Sequence, residues 1–401
     1  HLTTGTTNTA LGFRAVAKTT TGSSNTGLGR ETLFCNTIGS NNTAVGAGVL
    51  FNNTTGSSNT AVGTNSLRSN ITGIANTAVG YATLFDNTTG QKNVAIGSQA
   101  LTNNTTGQSN TALGFQALFA NTTASSNTAL GTQALLCNTT GIRNVGLGNS
   151  ALLNNTTGTC NVAIGVGASR CLDGAFNTTA IGNAALYNST TPWDLVAVGD
   201  SALKSNTTGA QNVALGTRAL CANTIGANNV AVGINSLRNN TTGTNNTAVG
   251  MTALCSNTTG TNNTAVGRDA LKCNVGGTSN TAVGESALCK NTTGTQNTAL
   301  GVSALPSNTT GWQNTSIGFA SLNQNTTGRY NVAIGAYALR CNTTGRLNVA
   351  IGRMAGQCAV AAAGMVAIGH FALRNSECAA VAIGSGALQC NTTGTRNTAV
   401  G

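Results

Sequence analysis

Written in lines of seventeen, the apolar residues of this chain fall into fixed columns. The register is set by a Gly that closes a tetrad such as Thr264-Ala265-Val266-Gly267. That marker recurs from Gly12 through Gly29, Gly46 and Gly63 to Gly369 at a constant step of 17, followed by one step of 15 to Gly384 and 17 to Gly401. The residue before each marker is aliphatic (Leu11, Val45, Ile96, Val249, Val400), the one two before is small and nearly always Ala, and the one three before is Thr or Val. Four after the marker comes Leu, as in Leu67, Leu101, Leu254 and Leu339, preceded by a small residue. Alternation of side chains along a strand places the residues one and three before the marker on one face and the Ala on the other. We read the aliphatic residue as inward, so that Val249 belongs to the core, and expect each unit to supply two short strands. The Asn-Thr-Thr-Gly segment between them is turn chemistry: Asn and Thr bond locally to backbone, and Gly permits positive φ.

A short unit repeated this strictly predicts an all-β parallel solenoid of about 24 seventeen-residue coils, one continuous array over residues 1–401. At about 4.8 Å per coil it would be a rod on the order of 115 Å long. Two Asn columns accompany the aliphatic ones, one including Asn87, Asn104 and Asn121, the other Asn93, Asn110 and Asn127. Stacked Asn amides bond to one another in cross-β ladders, so these read as structural residues. Two stretches are irregular, near 169–195 and 356–380. The unit length survives the first, so the coil is expected to continue there with altered loops.

If the aliphatic column points inward, the Ala column (Ala44, Ala61, Ala78, Ala95, Ala112, Ala129, Ala265 and their counterparts) forms an apolar stripe on the outside. Its few replacements stay small (Gly27, Gly146, Ser316), which suggests a steric limit. It is therefore the candidate interface of a homo-oligomer.

Composition changes this picture little. The 52 Gly, with abundant Asn and Thr, disfavour helix. Only 7% of residues are charged, and the net charge is +11. The basic residues (Arg68, Lys92, Lys204, Arg238 and Arg340 among them) look scattered over variable positions of the unit, which argues against a nucleic-acid groove. No secretory leader or membrane-spanning apolar run is read. The chain opens and closes inside the repeat without a cap, which suggests a piece of something longer, or ends covered by other subunits.

Catalytic chemistry is sparse. The acids are Glu31, Asp86, Asp173, Asp194, Asp200, Asp269, Glu285 and Glu377, and the histidines are His1 and His370. No triad, phosphate loop or zinc spacing can be assembled from them, and only Asp194 with Asp200 could pair within a coil. We expect no enzyme, no metal and no cofactor. Of the twelve Cys, ten lie five or six residues after the marker, and Cys160 and Cys378 lie just before the strand. Cys341 and Cys358 share a column on adjacent coils, at a spacing a disulfide can bridge, and Cys255, Cys273 and Cys289 lie on successive coils. Some disulfides are expected, and with them an oxidising compartment. Asn-Thr-Thr is also a glycosylation sequon, at Asn53, Asn87, Asn104 and later turns, but turn chemistry alone accounts for it.

Units such as Asn93-Val94-Ala95-Ile96-Gly97-Ser98-Gln99-Ala100-Leu101 and Asn348-Val349-Ala350-Ile351-Gly352 resemble the head repeats of YadA-like trimeric autotransporter adhesins and related bacterial and phage fibre proteins. The resemblance covers essentially the whole chain. It implies a left-handed parallel β-roll, three chains side by side, outside the cell or on its surface. This unit is longer than the usual head repeat, and the coiled-coil stalk and membrane anchor of that family are missing from this chain.

The expected function is a structural extracellular fibre or adhesin shaft. Its partner is itself, as a homotrimer or an end-to-end filament, with an unidentified host or surface ligand. The alternative is an ice-binding or other surface-binding solenoid, which needs a flat face with outward Thr rows.

Overall fold

The computed structural model describes residues 4–190, 193–376 and 379–401. The chain forms two compact units, His1–Asp200 and Ser201–Gly401. The first holds strands β1 (Thr9–Leu11) to β12 (Val196–Val198), the second β13 (Val213–Leu215) to β24 (Thr398–Val400), each three residues long. Within each unit the strands stack in parallel. Between β15 (Thr247–Val249) and β16 (Thr264–Val266), Thr247 faces Thr264, Ala248 faces Ala265 and Val249 faces Val266. Each unit is thus a β-solenoid whose coil is the seventeen-residue repeat. The two-residue deletion costs no register, since Val366 still pairs with Val381.

Only one strand forms per coil, not two. The segment after the marker cannot extend, because alternate residues there adopt left-handed backbone. In one coil Gly267 has φ 129°, Asp269 58°, Leu271 50° and, before the strand, Asn262 58°. Such angles exclude the β region. A Leu at φ 50° is intrinsically unfavourable by roughly 1–2 kcal/mol. It persists because the bend turns each Leu into the coil, where Leu254, Leu271 and Leu288 are fully buried. The Gly of Asn-Thr-Thr-Gly has no positive φ. It is small for a different reason: a Cβ on Gly260 would stand 2.4 Å from Asn257 Oδ1 and 2.5 Å from the Gly277 carbonyl oxygen. The marker Gly needs both properties, since a Cβ on Gly250 (φ 134°) would meet the Gly267 carbonyl oxygen at 2.5 Å.

The period of two along the strand holds, but its phase is opposite to the expected one. Ala44, Ala61, Ala78, Ala95, Ala112, Ala129 and Ala265 are completely buried. The aliphatic residues beside them are half-exposed: Ile96 38%, Leu113 41%, Val249 37% and Val266 36%. The reason is width. A Cβ on Gly27 would lie 2.7 Å from Val16 Cγ2, and one on Gly146 3.4 Å from Leu135 Cγ. The small-residue column is opposed inside the coil by the small residue and Leu that follow the marker, so only Gly, Ala or Ser occupies it. Where Ser316 replaces Ala, its hydroxyl bonds the Ser321 carbonyl oxygen at 3.0 Å and lies 2.5 Å from the Ser321 hydroxyl. The steric limit is real, but it belongs to the chain's own interior.

Both Asn columns are buried ladders. Asn257 Nδ2 donates to Asn240 Oδ1 of the preceding coil at 2.8 Å and to the Gly260 carbonyl at 3.0 Å, while its own Oδ1 accepts from Asn274 at 2.8 Å. In the second column Asn263 donates to Asn246 Oδ1 from both its backbone N–H (3.0 Å) and its Nδ2 (3.1 Å), and reaches the Gly277 carbonyl at 2.8 Å. The irregular stretches interrupt the first ladder in the same way in both units. Leu172 and Ala359 take the Asn position, Ser189 and Ser376 the next, and Asn returns at Asn206 and Asn391. The buried Oδ1 atoms of Asn155 and Asn342, which would have accepted from the missing amides, are left without a partner. The coil nevertheless continues, with Thr159, Phe176 and Trp193 bridged in parallel.

Candidate functional site

The outward side of the strands is the most regular surface of each unit. The residues three before the marker (Thr247, Thr264, Thr281, Thr298) and one before it (Val249, Val266, Val283, Leu300) form two parallel columns with no charged member in either unit. Apolar residues just after the marker widen the face: Tyr81 (56% exposed) and Phe115 in the first unit, Ile234, Met251 and Phe319 in the second. Twelve coils at about 4.8 Å, with about 7 Å between the two outward side chains of a strand, give roughly 400 Å² per unit. That lies at the upper end of what a monomer leaves exposed without a use for it.

A second surface runs along the corner five residues after the marker. Arg68, Lys204, Arg238 and Arg340, which looked scattered in the sequence, all occupy this one position, as do Arg170, Lys272 and Arg374. In the first unit Phe34, Phe51, Phe85, Phe119 and Tyr187 also take this position; Phe34 stacks on Phe51 with centroids 5.1 Å apart, and Arg14 and Lys18 lie over the Phe34 ring. In the second unit it alternates between cations and uncharged residues such as Cys221, Cys255 and Cys289.

Among the described residues the cysteines are free thiols. Burial and the Cys358 thiol of the next coil push the Cys341 thiol up. Cys273 donates its backbone N–H to the Cys289 carbonyl at 2.9 Å, and burial also raises the Cys255 and Cys289 thiols. Cys378, Glu377 and His1 lie outside the described residues. The sequon amides, Asn53, Asn87 and Asn104 among them, are fully buried and hold the ladder. In the folded chain they are closed to glycosylation.

No group of three or more His, Cys, Asp or Glu able to hold a metal occurs among the described residues. Asp194 accepts a bond from Asn177 at 3.4 Å, and His370 stacks on Phe371 with centroids 3.8 Å apart. The irregular stretch 356–380 contributes to a hollow of about 330 Å³ lined by Arg329, Arg346, Thr327, Thr344, Ala361 and Ala363. No helix among the described residues is long and apolar enough to cross a membrane. No protein-family profile matches the chain, and no curated protein is significantly similar to it.

Proposed function

We propose that the chain is a structural fibre or adhesin-shaft element, working outside the cell or on its surface, whose stacks associate side by side through the strand face. The observation that carries this reading is the charge-free pair of Thr/Val and Val/Ile/Leu columns, repeated on every coil of both units and left half-exposed by a core too narrow to take them. The chain's residue budget goes into coil-to-coil bonding, and a shaft needs no more chemistry than that. The trimer implied by the resemblance is the assembly we favour. Its interface is the outward columns, in place of the buried Ala. Light scattering on the purified chain should give a three-chain mass, and Val249→Arg with Val266→Arg and Leu300→Arg should reduce it to one chain with the β-rich circular dichroism intact. A monodisperse monomer of the unaltered chain at micromolar concentration refutes the assembly.

One observation favours a second reading, a surface-binding solenoid that engages ice. The Thr column, expected inside, is outward and in straight register, as in Thr264, Thr281 and Thr298. Thermal hysteresis in a solution of the chain, lost on Thr→Lys replacement in that column, supports it, and its absence removes it. For the oxidising compartment, we propose Cys341–Cys358 as the pair that closes. Non-reducing peptide mapping of natively produced protein that finds both as free thiols would remove that argument.

A further inference from the structure

We propose that the second unit carries, along its charged corner, a binding track for a linear anionic polysaccharide with about one carboxylate per disaccharide. The track is Lys204, Arg238, Lys272, Arg340 and Arg374, all five residues after a marker Gly and separated by 34 residues or, across Pro306, by 68. Two coils separate members on either side of that gap and four coils span it, which sets the cations about 10 Å apart, and about 19 Å from Lys272 to Arg340, along the stack. Their backbones are held in line. The carbonyls of Arg238, Lys272, Arg340 and Arg374 accept N–H bonds from Ala222, Ser256, Gln324 and Cys358 of the preceding coils at 2.8–3.0 Å.

Lys204, Arg238 and Arg340 are exposed, and Lys272 and Arg374 half-exposed. Among the described residues one acid is paired with the track, Asp269, whose Oδ1 is 3.1 Å from Lys272 Nζ. Arg340 lies over the Tyr337 ring and Arg374 over Phe371, and Arg374 Nε also donates to Gln357 at 3.1 Å, so both guanidinium groups are positioned without losing their charge. Between the cations stand Cys221, Cys255 and Cys289; burial keeps the last two as neutral thiols, not competing anions.

Spacing selects the ligand class. Duplex DNA carries one charge per about 1.7 Å, far denser than one cation per two coils. A polyuronate of alternating charged and uncharged sugars has the sparse, regular charge that this file can meet group by group. The proposal is independent of lateral association, because the track lies on the corner and not on the strand columns, so a single chain would bind as well.

The test uses the full chain and labelled hyaluronan oligosaccharides, with fluorescence anisotropy at low and physiological salt. One variant replaces Lys204, Arg238, Lys272, Arg340 and Arg374 by Gln. A control replaces Arg218, Arg329, Arg346, Arg353 and Arg396, which removes the same charge from the same unit off the track. The track variant should lose at least about tenfold in affinity and the control less than about threefold. All ten side chains lie outside the buried core, and unchanged circular dichroism of both variants checks the fold. Equal losses in the two variants, or no binding by the unaltered chain, overturn the proposal. Tighter binding of duplex DNA that depends on the same five residues would reassign the track to nucleic acid.

Discussion

The two units share one backbone recipe and differ at one corner. In both, the marker Gly, the inward Ala and Leu and the Asn ladders hold the coil, and both tolerate one two-coil interruption of the ladder. The corner five residues after the marker is where they part. The first unit places Phe34, Phe51, Phe85 and Phe119 there with only two cations, Arg68 and Arg170, while the second places five cations there among uncharged residues, three of them Cys. Charge follows the same division. The first unit has seven basic and five acidic residues, a net +2; the second has twelve and three, a net +9 of the chain's +11. This solenoid separates its tasks. Inward and ladder positions are fixed by space and hydrogen bonding, and an outward corner can change chemistry without disturbing them.

The largest effect, and one the two units should share, is expected at the marker Gly. Gly131→Ala and Gly250→Ala put a Cβ at φ 134° in both cases, 2.6 and 2.5 Å from the next coil's carbonyl oxygen. Each should cost on the order of 3 kcal/mol or more, equally in the two units. Hydrogen exchange should show opening confined to neighbouring coils, because solenoid coupling is between nearest neighbours. Unequal damage, or uniform loss of protection, would contradict a shared recipe.

The ladders come next. Asn121→Ala and Asn257→Ala each remove two donated bonds, leaving Oδ1 of the preceding Asn104 or Asn240 without its donor and the next Asn with one acceptor in place of two, at a cost of about 2–3 kcal/mol read from the shift in denaturation midpoint. The corner should then separate the units. Phe51→Ala loses a ring stack worth about 1 kcal/mol in the first unit, while Arg238→Ala in the second should stay within about 0.5 kcal/mol. Filling a ladder gap works in the other direction: Ala359→Asn offers Asn342 Oδ1 the donor it lacks and should stabilise the chain by up to about 1 kcal/mol.

The smallest expected effect is pH-dependent and confined to the second unit. The Thr252 hydroxyl, bonded to Asp269 at 2.5 Å, holds that carboxyl below its ordinary value, assisted by Lys272. Because the folded pKa is the lower one, its contribution is present above the ordinary carboxylate range and is lost as pH falls through the folded value. At this partly exposed site it should stay under about 1 kcal/mol. Thermal midpoints between pH 5 and about 2 should fall more for the unaltered chain than for Asp269→Asn; parallel curves would show that the site contributes nothing.

The seventeen-residue period, the all-β class, the parallel register and the Asn ladders were all legible in the sequence. They depend only on which residues recur and on bonds between identical neighbours, and repetition alone puts Asn257 beside Asn240 and Asn274. The corner file was legible too, since Lys204, Arg238 and Lys272 stand 34 residues apart, but it shows only when position in the coil is compared instead of position in the chain. The tertiary structure decided which face of the strand is inside. Hydrophobicity favours burying Val249 over Ala248, and alternation permits either phase. The coil closes so tightly, with left-handed turns at Asp269 and Leu271, that its interior admits one Leu and small side chains, and so Ala248 goes in and Val249 stays out.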